Sequence, residues 1–159
     1  MRLGQAGTHI AVVTSDNANA TQSTITVRLF SPEARLIFQR VLRVPAKVIP
    51  RHVVDSVQRG ALERAKSAEE RAARRRAVIP PAYPPVTEVI LSDIGEVWLG
   101  TPGGAAERSW IVLDARGTRK PDVILPKTFR PIAVIGREVI GTEVDPDDFI
   151  DIVRYRVGG

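Results

Sequence analysis

Few residues of this 159-residue chain have the types and spacing that catalysis or metal binding requires. The clearest cluster is acidic and lies near the end of the chain: Asp145, Asp147, Asp148 and Asp151. Carboxylate oxygens in such a cluster are the ligands that Ca²⁺ prefers. The cluster lacks the Asp-x-Asp-x-Asp-Gly pattern of a calcium-binding loop, so we interpret it as a solvated hairpin loop.

The chain also has few residues that could act as nucleophiles or as histidine ligands and bases. The chain has no cysteine and two histidines, His9 and His52, which excludes thiolate zinc sites, iron–sulfur clusters and histidine-rich metal centres. No serine has the Gly-x-Ser-x-Gly context of a hydrolase nucleophile, and no glycine-rich segment matches a phosphate-binding motif. We therefore expect no catalytic residue, no metal and no cofactor.

Arginine is the residue type with the most potential to bind a partner. The chain has 23 Lys and Arg against 18 Asp and Glu, a formal net charge of +5. One run stands out: Arg71, Arg74, Arg75 and Arg76. Glutamates interrupt the run, and Glu70 is spaced for a helical ion pair with Arg74. Aromatic residues are scarce at 5%, which disfavours base stacking. We expect these arginines and Tyr83 to bind a protein or small ligand rather than a nucleic acid.

Strands are predicted for residues 1–50, where apolar and polar residues alternate. The pattern places them at residues 10–14, 24–30 and 36–44, with a turn at 15–19 that is rich in Ser, Asp and Asn. In the last of these strands, four side chains are expected to face inward: Leu36, Phe38, Leu42 and Val44.

A helical, arginine-rich insertion and a proline-rich connector are predicted for residues 51–85. Apolar residues recur at spacings of three and four over residues 51–78. Ser67 with Glu70 forms a capping-box pattern, which favours the start of a second short helix. Pro80 and Pro81 end the helical segment.

The remainder of the chain returns to a strand pattern. Residues 86–128 contain four short apolar runs separated by turns, with Gly95 expected at positive φ, and residues 129–159 contain three more runs. A strand, turn and strand unit recurs at residues 10, 96 and 138. This repeat favours blade-like antiparallel meanders, with a small antiparallel sandwich as the alternative.

Two segments resemble a known family. Residues 93–99, with Asp93, Gly95 and Trp98, resemble the Asp-x-Gly-x-Ile/Val-Trp-Val signature of NHL-like bacterial β-propellers. Residues 110–117 resemble the next hairpin of that family, an aromatic run that ends in Asp-x-x-Gly, here Trp110, Asp114 and Gly117. The resemblance implies that Asp93 and Gly95 form a hairpin and that Trp98 packs between blades.

The fold that the resemblance implies is mainly β. It is an incomplete propeller of about two and a half to three blades, the C-terminal half of a six-bladed ring, with an α-helical insertion. Residues 1–50, 86–128 and 129–159 would be a partial, a complete and a partial final blade. A propeller needs about four blades or more to close. We therefore expect the chain to be a fragment of a longer protein and to self-associate through unpaired strand edges.

The function that the resemblance implies is that of a non-catalytic binding or scaffold module. Full-length relatives suggest a periplasmic or cell-envelope location, although this chain shows no export signal and no transmembrane stretch. Two alternatives stay open. One is a fragment of a metal-dependent lactonase or lyase whose other ligands lie outside this chain. The other is a basic nucleic-acid-binding protein that uses the arginine-rich helix.

Overall fold

The computed structural model of this protein describes residues 2–6, 9–16, 21–104, 106–145 and 147–158, with residues 2–6 described by their backbone alone. Three antiparallel sheets and a pair of helices account for the described elements. Strands take up 48% of the residues and helices 15%, which confirms a mainly β fold with a helical insertion. Neither helix found among the described residues is long and apolar enough to cross a bilayer.

The first sheet is a four-stranded meander in the order β1-β2-β3-β4. Its strands are β1 (Arg2–Ala6), β2 (His9–Asp16), β3 (Gln22–Phe30) and β4 (Leu36–Pro45). The sequence did not predict β1, because Arg-Leu-Gly-Gln-Ala has neither alternation nor β-branched residues. Its backbone pairs with β2 along its whole length. Of the turn predicted at 15–19, residues 17–19 lie outside the described residues.

The prediction that Leu36 faces inward is wrong, because its side chain is 53% exposed. A β-bulge interrupts the pairing of β3 with β4, so that Leu29 lies opposite Phe38 and Phe30 lies opposite Leu36. Ile37 is the extra residue of the bulge. An extra residue reverses the alternation of side chains between the two faces, so the pattern that buries Phe38 does not extend back to Leu36.

The helices α1 (Arg51–Glu63) and α2 (Ala68–Arg76) follow the first sheet and form a hairpin that we call the helical arm, residues 49–81. Two backbone hydrogen bonds close its base, from Ile49 N–H to Pro81 O at 3.0 Å and from Tyr83 N–H to Lys47 O at 2.9 Å. The Ser67 hydroxyl accepts a hydrogen bond from a backbone N–H of α2, which confirms the predicted N-cap. No described residue of either helix is buried.

The second and third sheets are also meanders. The second contains β5 (Glu88–Leu91), β6 (Val97–Gly100), β7 (Glu107–Leu113) and β8 (Val123–Pro126) in chain order. The third contains β9 (Arg130–Ile135), β10 (Glu138–Val144) and β11 (Ile150–Arg156), with β10 in the middle. Gly95 has φ +81° in the β5–β6 turn, as predicted.

The second sheet lies between the other two and is covered on both faces. One core joins it to the first sheet, and a second core joins it to the third sheet. Every residue of β6 is buried as a consequence. Along one side of the stack, β1 contacts β5 and β5 contacts β9. The first strands of the three sheets are therefore neighbours.

Candidate functional site

A wedge-shaped cleft of about 760 Å³ opens between the second and third sheets. The two sheets touch where β5 meets β9, and they diverge from there toward β8 and β11. The floor comes from the second sheet and includes Trp98, Val112 and Leu125. The facing wall comes from β11 and the residue after it, Tyr155 and Val157. The cleft is therefore an apolar space that the packing of the sheets leaves open on one side.

Strand alternation explains why Trp98 faces this cleft. Trp98 lies opposite Val112 on one face of the second sheet, whereas Leu99 and Ile111 lie opposite each other on the other face. The Trp98 ring is tilted by 56° against Trp110, with the ring centroids 6.5 Å apart. The two indoles anchor the floor of the cleft next to the closed part of the core.

The wall of the cleft is held in place by aromatic packing and one hydrogen bond. The rings of Tyr155 and Phe129 pack nearly perpendicular to each other, at 83°, with a centroid distance of 4.8 Å. The Tyr155 hydroxyl donates a hydrogen bond of 2.9 Å to a carboxylate oxygen of Glu143. This bond to the carboxylate, with a further contribution from burial, raises the pKa of Tyr155. The Tyr155 hydroxyl is therefore a neutral hydrogen-bond donor, and its contacts with Glu143 and Phe129 fix the orientation of the ring.

A buried carboxylate supports the floor. Glu96 is 5% exposed, and its carboxylate accepts a hydrogen bond of 3.1 Å from the Trp98 indole N–H. The same carboxylate forms an ion pair with Lys120, whose side chain is half exposed. The Ser92 hydroxyl accepts a bond from Glu96 N–H at 2.8 Å. Glu96 thus orients Trp98 and holds Lys120 at the rim. The negative charge of Glu96 compensates the positive charge of Lys120.

The rim of the cleft carries an excess of positive charge. Asp122, at the rim, is paired with Arg119 at 3.0 Å. Arg137 and Arg156 also line the cleft. Within the described part of the chain, neither of these two arginines forms an ion pair. With the Lys120 and Asp122 charges compensated, Arg137 and Arg156 leave this side of the molecule with an excess of positive charge; Arg156 lies across from Glu138 on β10, whose carboxylate pairs with Arg154.

The arginines singled out in the sequence lie in the helical arm and do not line the cleft. Arg71, Arg75 and Arg76 are exposed on α2. Arg74 is half-buried, donates to the carbonyl of Ala61 and forms the predicted ion pair with Glu70, which confirms that pairing. Arg74 therefore joins α2 to α1. Tyr83 lies at the base of the arm, where its side chain is partly buried.

Residues of the propeller-like signature connect neighbouring sheets. The Asp93 carboxylate accepts a hydrogen bond of 2.9 Å from Gly136 N–H, and Asp93 N–H donates to Val134 O at 3.2 Å. Trp98 and Trp110 lie in the core between the second and third sheets. The β5–β6 turn is thereby fastened to the third sheet at one border of the cleft, where Ile94 and Gly136 are lining residues.

The turn of the second signature segment, residues 114–117, faces the first sheet. The Asp114 carboxylate accepts backbone N–H bonds of 2.8 Å from Arg116 and from Thr118. These bonds, the one from Thr118 first, lower the pKa of Asp114. Gly117 has φ +78°, and a Cβ there would lie 2.8 Å from the Phe38 ring. The turn therefore requires glycine for its conformation and for space.

The acidic cluster near the chain end includes a turn. The Asp145 carboxylate accepts hydrogen bonds from the backbone N–H groups of Asp147 and Phe149, at 2.9 and 2.8 Å. Among the residues that the structure describes, no group of three or more His, Asp or Glu side chains is arranged to hold a metal ion.

The charged residues of the cleft were not predicted from the sequence. Glu96 and Trp98 are two residues apart in a strand pattern, which would have placed them on one face. No local signal marks Lys120, Arg137 or Arg156, because tertiary packing alone brings them to the same rim. No family model, curated protein or solved structure matches this chain.

Proposed function

We propose that this chain is a non-catalytic binding module of the β-propeller type and that its ligand occupies the cleft between the second and third sheets. The composition of the cleft is the observation that supports this proposal. It combines an apolar floor with a few polar groups at its mouth, which is the usual composition of a ligand site. The buried Glu96 makes the floor rigid through Trp98, and Arg137 and Arg156 provide the charge that would orient a ligand.

The arrangement of the sheets supports the propeller part of the proposal. Each sheet is an antiparallel meander, and the first strands β1, β5 and β9 are neighbours. Blades around a common axis pack in this way, with their inner strands close together and their outer strands apart. Trp98 between two sheets agrees with the role that the NHL-like signature implies. Closure of a ring would need further blades from a longer protein or from other chains.

The contacts of the polar groups in the cleft favour binding over catalysis. Glu96 is engaged by the Trp98 indole and by Lys120, and the Tyr155 hydroxyl is engaged by Glu143. Each of these groups therefore has a structural role within the protein, in orienting Trp98 or in fixing the Tyr155 ring. A lactonase or lyase would need its reactive groups to come from outside this chain.

The test is an NMR titration of the full chain with a small-molecule fragment library and with a random peptide library. We expect binders to shift the Trp98 indole resonance and the amide resonances of β8 and β11. Val157→Arg places a charge in the cleft and should weaken binding about tenfold or more. Val144→Arg is the matched control, because Val144 lies at the exposed end of β10 and does not line the cleft.

The proposal fails if no compound of either class shifts cleft resonances, or if Val144→Arg weakens binding as strongly as Val157→Arg. Correct folding of both variants is checked by their amide spectra.

A second candidate function is nucleic-acid binding by the helical arm, favoured by the exposed side chains of Arg71, Arg75 and Arg76 on one short helix. Binding of this kind weakens steeply with salt, because counterions are released from phosphates. The discriminating measurement is the affinity for a short DNA duplex at several salt concentrations. A steep slope that is reduced in Arg75→Gln/Arg76→Gln would favour this candidate.

A further inference from the structure

We infer that the peptide bond between Arg76 and Ala77, at the end of α2, is a processing site for an endoprotease that cleaves after paired basic residues. The step is a hydrolysis. Water adds to the carbonyl carbon of Arg76, the C–N bond breaks, and an Arg76 carboxylate and an Ala77 ammonium group remain. The inference goes beyond the proposed function and does not depend on it, because the described residues that line the cleft lie between 94 and 158, outside the helical arm.

Paired basic residues occur at two places in the sequence, the arginine triplet of residues 74–76 and the pair at residues 119–120. Pro121 follows the second pair, and Lys120 is held in an ion pair with the buried Glu96. Proline lacks a backbone N–H and restricts the conformation of the residue before it, which disfavours cleavage there. The arginine triplet is therefore the better substrate of the two.

The charge around the arginine triplet suits an acidic substrate site. No Asp or Glu lies between Glu70 and Glu88, whereas Arg64, Lys66 and Arg71 each lie within three residues of a glutamate. A protease that recognises basic side chains presents carboxylates to them, and it repels carboxylates on the substrate. Recognition therefore favours residues 74–76 over the other basic residues near the α1–α2 loop.

The chain that follows the arginine triplet is already extended and accessible. Ala77 has φ −63° and ψ 123°, and the Val78 side chain is 90% exposed. In the described structure, no backbone hydrogen bond involves Val78 or Ile79. Proteins that bind a peptide through its backbone take it in extended form. The residues after the cleaved bond can therefore enter a protease without loss of secondary structure.

The arginine triplet itself forms the last turn of α2, which has to unwind for a protease to bind it. The helix has nine residues, none of them buried, and helices of this length are marginal without tertiary packing. Arg74 holds the turn through its ion pair with Glu70 and its bond to Ala61 O. An ion pair that is open to solvent contributes little, so the turn can open locally while the sheets stay folded.

Cleavage at this bond would leave a folded protein of two chains. Residues 1–76 contain the first sheet, and residues 77–159 contain the second and third. The core between the first two sheets includes Leu29 from one and Leu99 from the other, both fully buried. The helices contribute no buried residue to it. The two products should therefore stay together, with the arginine triplet as a new basic chain end.

The experiment incubates the full chain in its native state with an endoprotease specific for paired basic residues and follows the products by intact-mass spectrometry. We expect a first cut that gives residues 1–76 and 77–159. These products should elute together in native size-exclusion chromatography and separate in denaturant. A first cut at another bond, or no cut under conditions that cleave the denatured chain, would overturn the site. Products that separate without denaturant would overturn the two-chain form.

Processing in the cell is tested on the protein from its own cells. Labelling of free α-amino groups before digestion should identify a chain that begins at Ala77. Detection of the intact chain without this new terminus would overturn processing.

Recognition of the arginine triplet is tested by Arg75→Gln/Arg76→Gln, which should be cleaved about tenfold more slowly or less than that, because the substrate site loses its cations. Arg64→Gln/Lys66→Gln removes the same number of charges from the α1–α2 loop and is the matched control, expected to be cleaved at the wild-type rate. Equal rates for the two variants would show an effect of net charge and would overturn recognition of the triplet.

Local unwinding is tested by Glu70→Ala, which removes the ion pair that holds Arg74. We expect this variant to be cleaved about twofold to fivefold faster than the wild type, as the loss of one exposed ion pair allows. Glu69→Ala makes the same change of charge one residue away, at a side chain that forms no ion pair in the described structure. Equal rates for Glu70→Ala and Glu69→Ala would overturn the role of unwinding.

Discussion

Gly141 shows at the scale of a single residue how tightly the third sheet is packed. A Cβ atom at this position would lie 2.2 Å from the carbonyl oxygen of Arg130 and 2.6 Å from Cζ of Phe129. Phe129 in turn packs on Tyr155, the wall of the cleft. The missing side chain of Gly141 thus allows the aromatic contact that positions the cleft wall.

We predict that Gly141→Ala lowers the free energy of unfolding by about 3 kcal/mol, because backbone and ring must both move. Chemical denaturation of the full chain measures this loss. Gly60→Ala is the control, because a Cβ at Gly60 meets no atom closer than 3.8 Å and lies within α1. The prediction is contradicted if the two variants are equally stable.

Asp114 gives the fold a dependence on pH. Its carboxylate accepts backbone hydrogen bonds from Thr118 and Arg116, which lower its pKa in the folded state. A carboxyl whose pKa is lowered by folding stabilises the fold when ionised. This contribution is present above the ordinary pKa and is lost as the pH falls through the folded-state pKa.

We therefore predict that Asp114→Asn has a lower Tm than the wild type at neutral pH. The difference should shrink as the pH falls from the ordinary aspartate value of 3.8 through the lower folded-state pKa, below which both proteins carry an uncharged side chain. Thermal unfolding across a pH series tests this. A difference in Tm that is constant with pH would show that the charge of Asp114 plays no part.

At the scale of elements, the β5–β6 turn fastens the second sheet to the third. The Asp93 carboxylate reaches across to Gly136 N–H in the β9–β10 turn. Gly136 also lines the cleft, so this contact joins the two sheets at one border of the cleft.

We predict that Asp93→Ala lowers the free energy of unfolding by about 1 kcal/mol and speeds hydrogen exchange at Gly136 N–H. Asp93→Asn keeps a side-chain oxygen as an acceptor and should retain most of the protection. Hydrogen exchange followed by NMR separates the two. Unchanged exchange in Asp93→Ala would mean that the backbone bond from Asp93 N–H to Val134 O holds the turn alone.

The helical arm behaves as a separate element. Its helices have no buried residue in the described structure, and Arg74 fastens α2 to α1 through Glu70 and the carbonyl of Ala61. Backbone bonds at residues 47–49 and 81–83 close its base. The arm therefore adds an exposed basic surface without contributing to either core.

At the scale of the whole molecule, the outer face of the third sheet exposes apolar side chains. Val144, Ile150 and Ile152 are 50%, 70% and 81% exposed, and they lie on or beside β11, whose outer edge pairs with no strand of the described residues. Exposed apolar patches and free strand edges both favour association.

We predict that the chain self-associates at about micromolar to millimolar concentration and that Ile150→Lys/Ile152→Lys shifts it toward monomer. Light scattering over a concentration series measures this. Val78→Lys is the control, because Val78 is 90% exposed but lies in the connector after α2. A wild-type chain that is monomeric throughout would contradict the prediction.

Local sequence patterns were sufficient for most of the secondary structure. The alternation that buries Ile25, Val27 and Leu29 is a property of one strand and is visible in its own residues. The turn at Gly95 and the cap at Ser67 were likewise predictable from nearby residues. Strand β1 is not predictable from its own residues, which have little β propensity; its pairing with β2 is what makes it a strand.

The sequence by itself determined the mainly β class, the strand and helix segments and the shortage of catalytic side chains, because these depend on residue type and short-range spacing. Tertiary structure alone decided how the sheets stack, where the cleft opens and which charges are compensated. Lys120 reaches Glu96, whereas Arg137 and Arg156 have no such partner in the described structure. Side chains distant in the chain meet according to the order in which the sheets stack, and no local pattern contains that order.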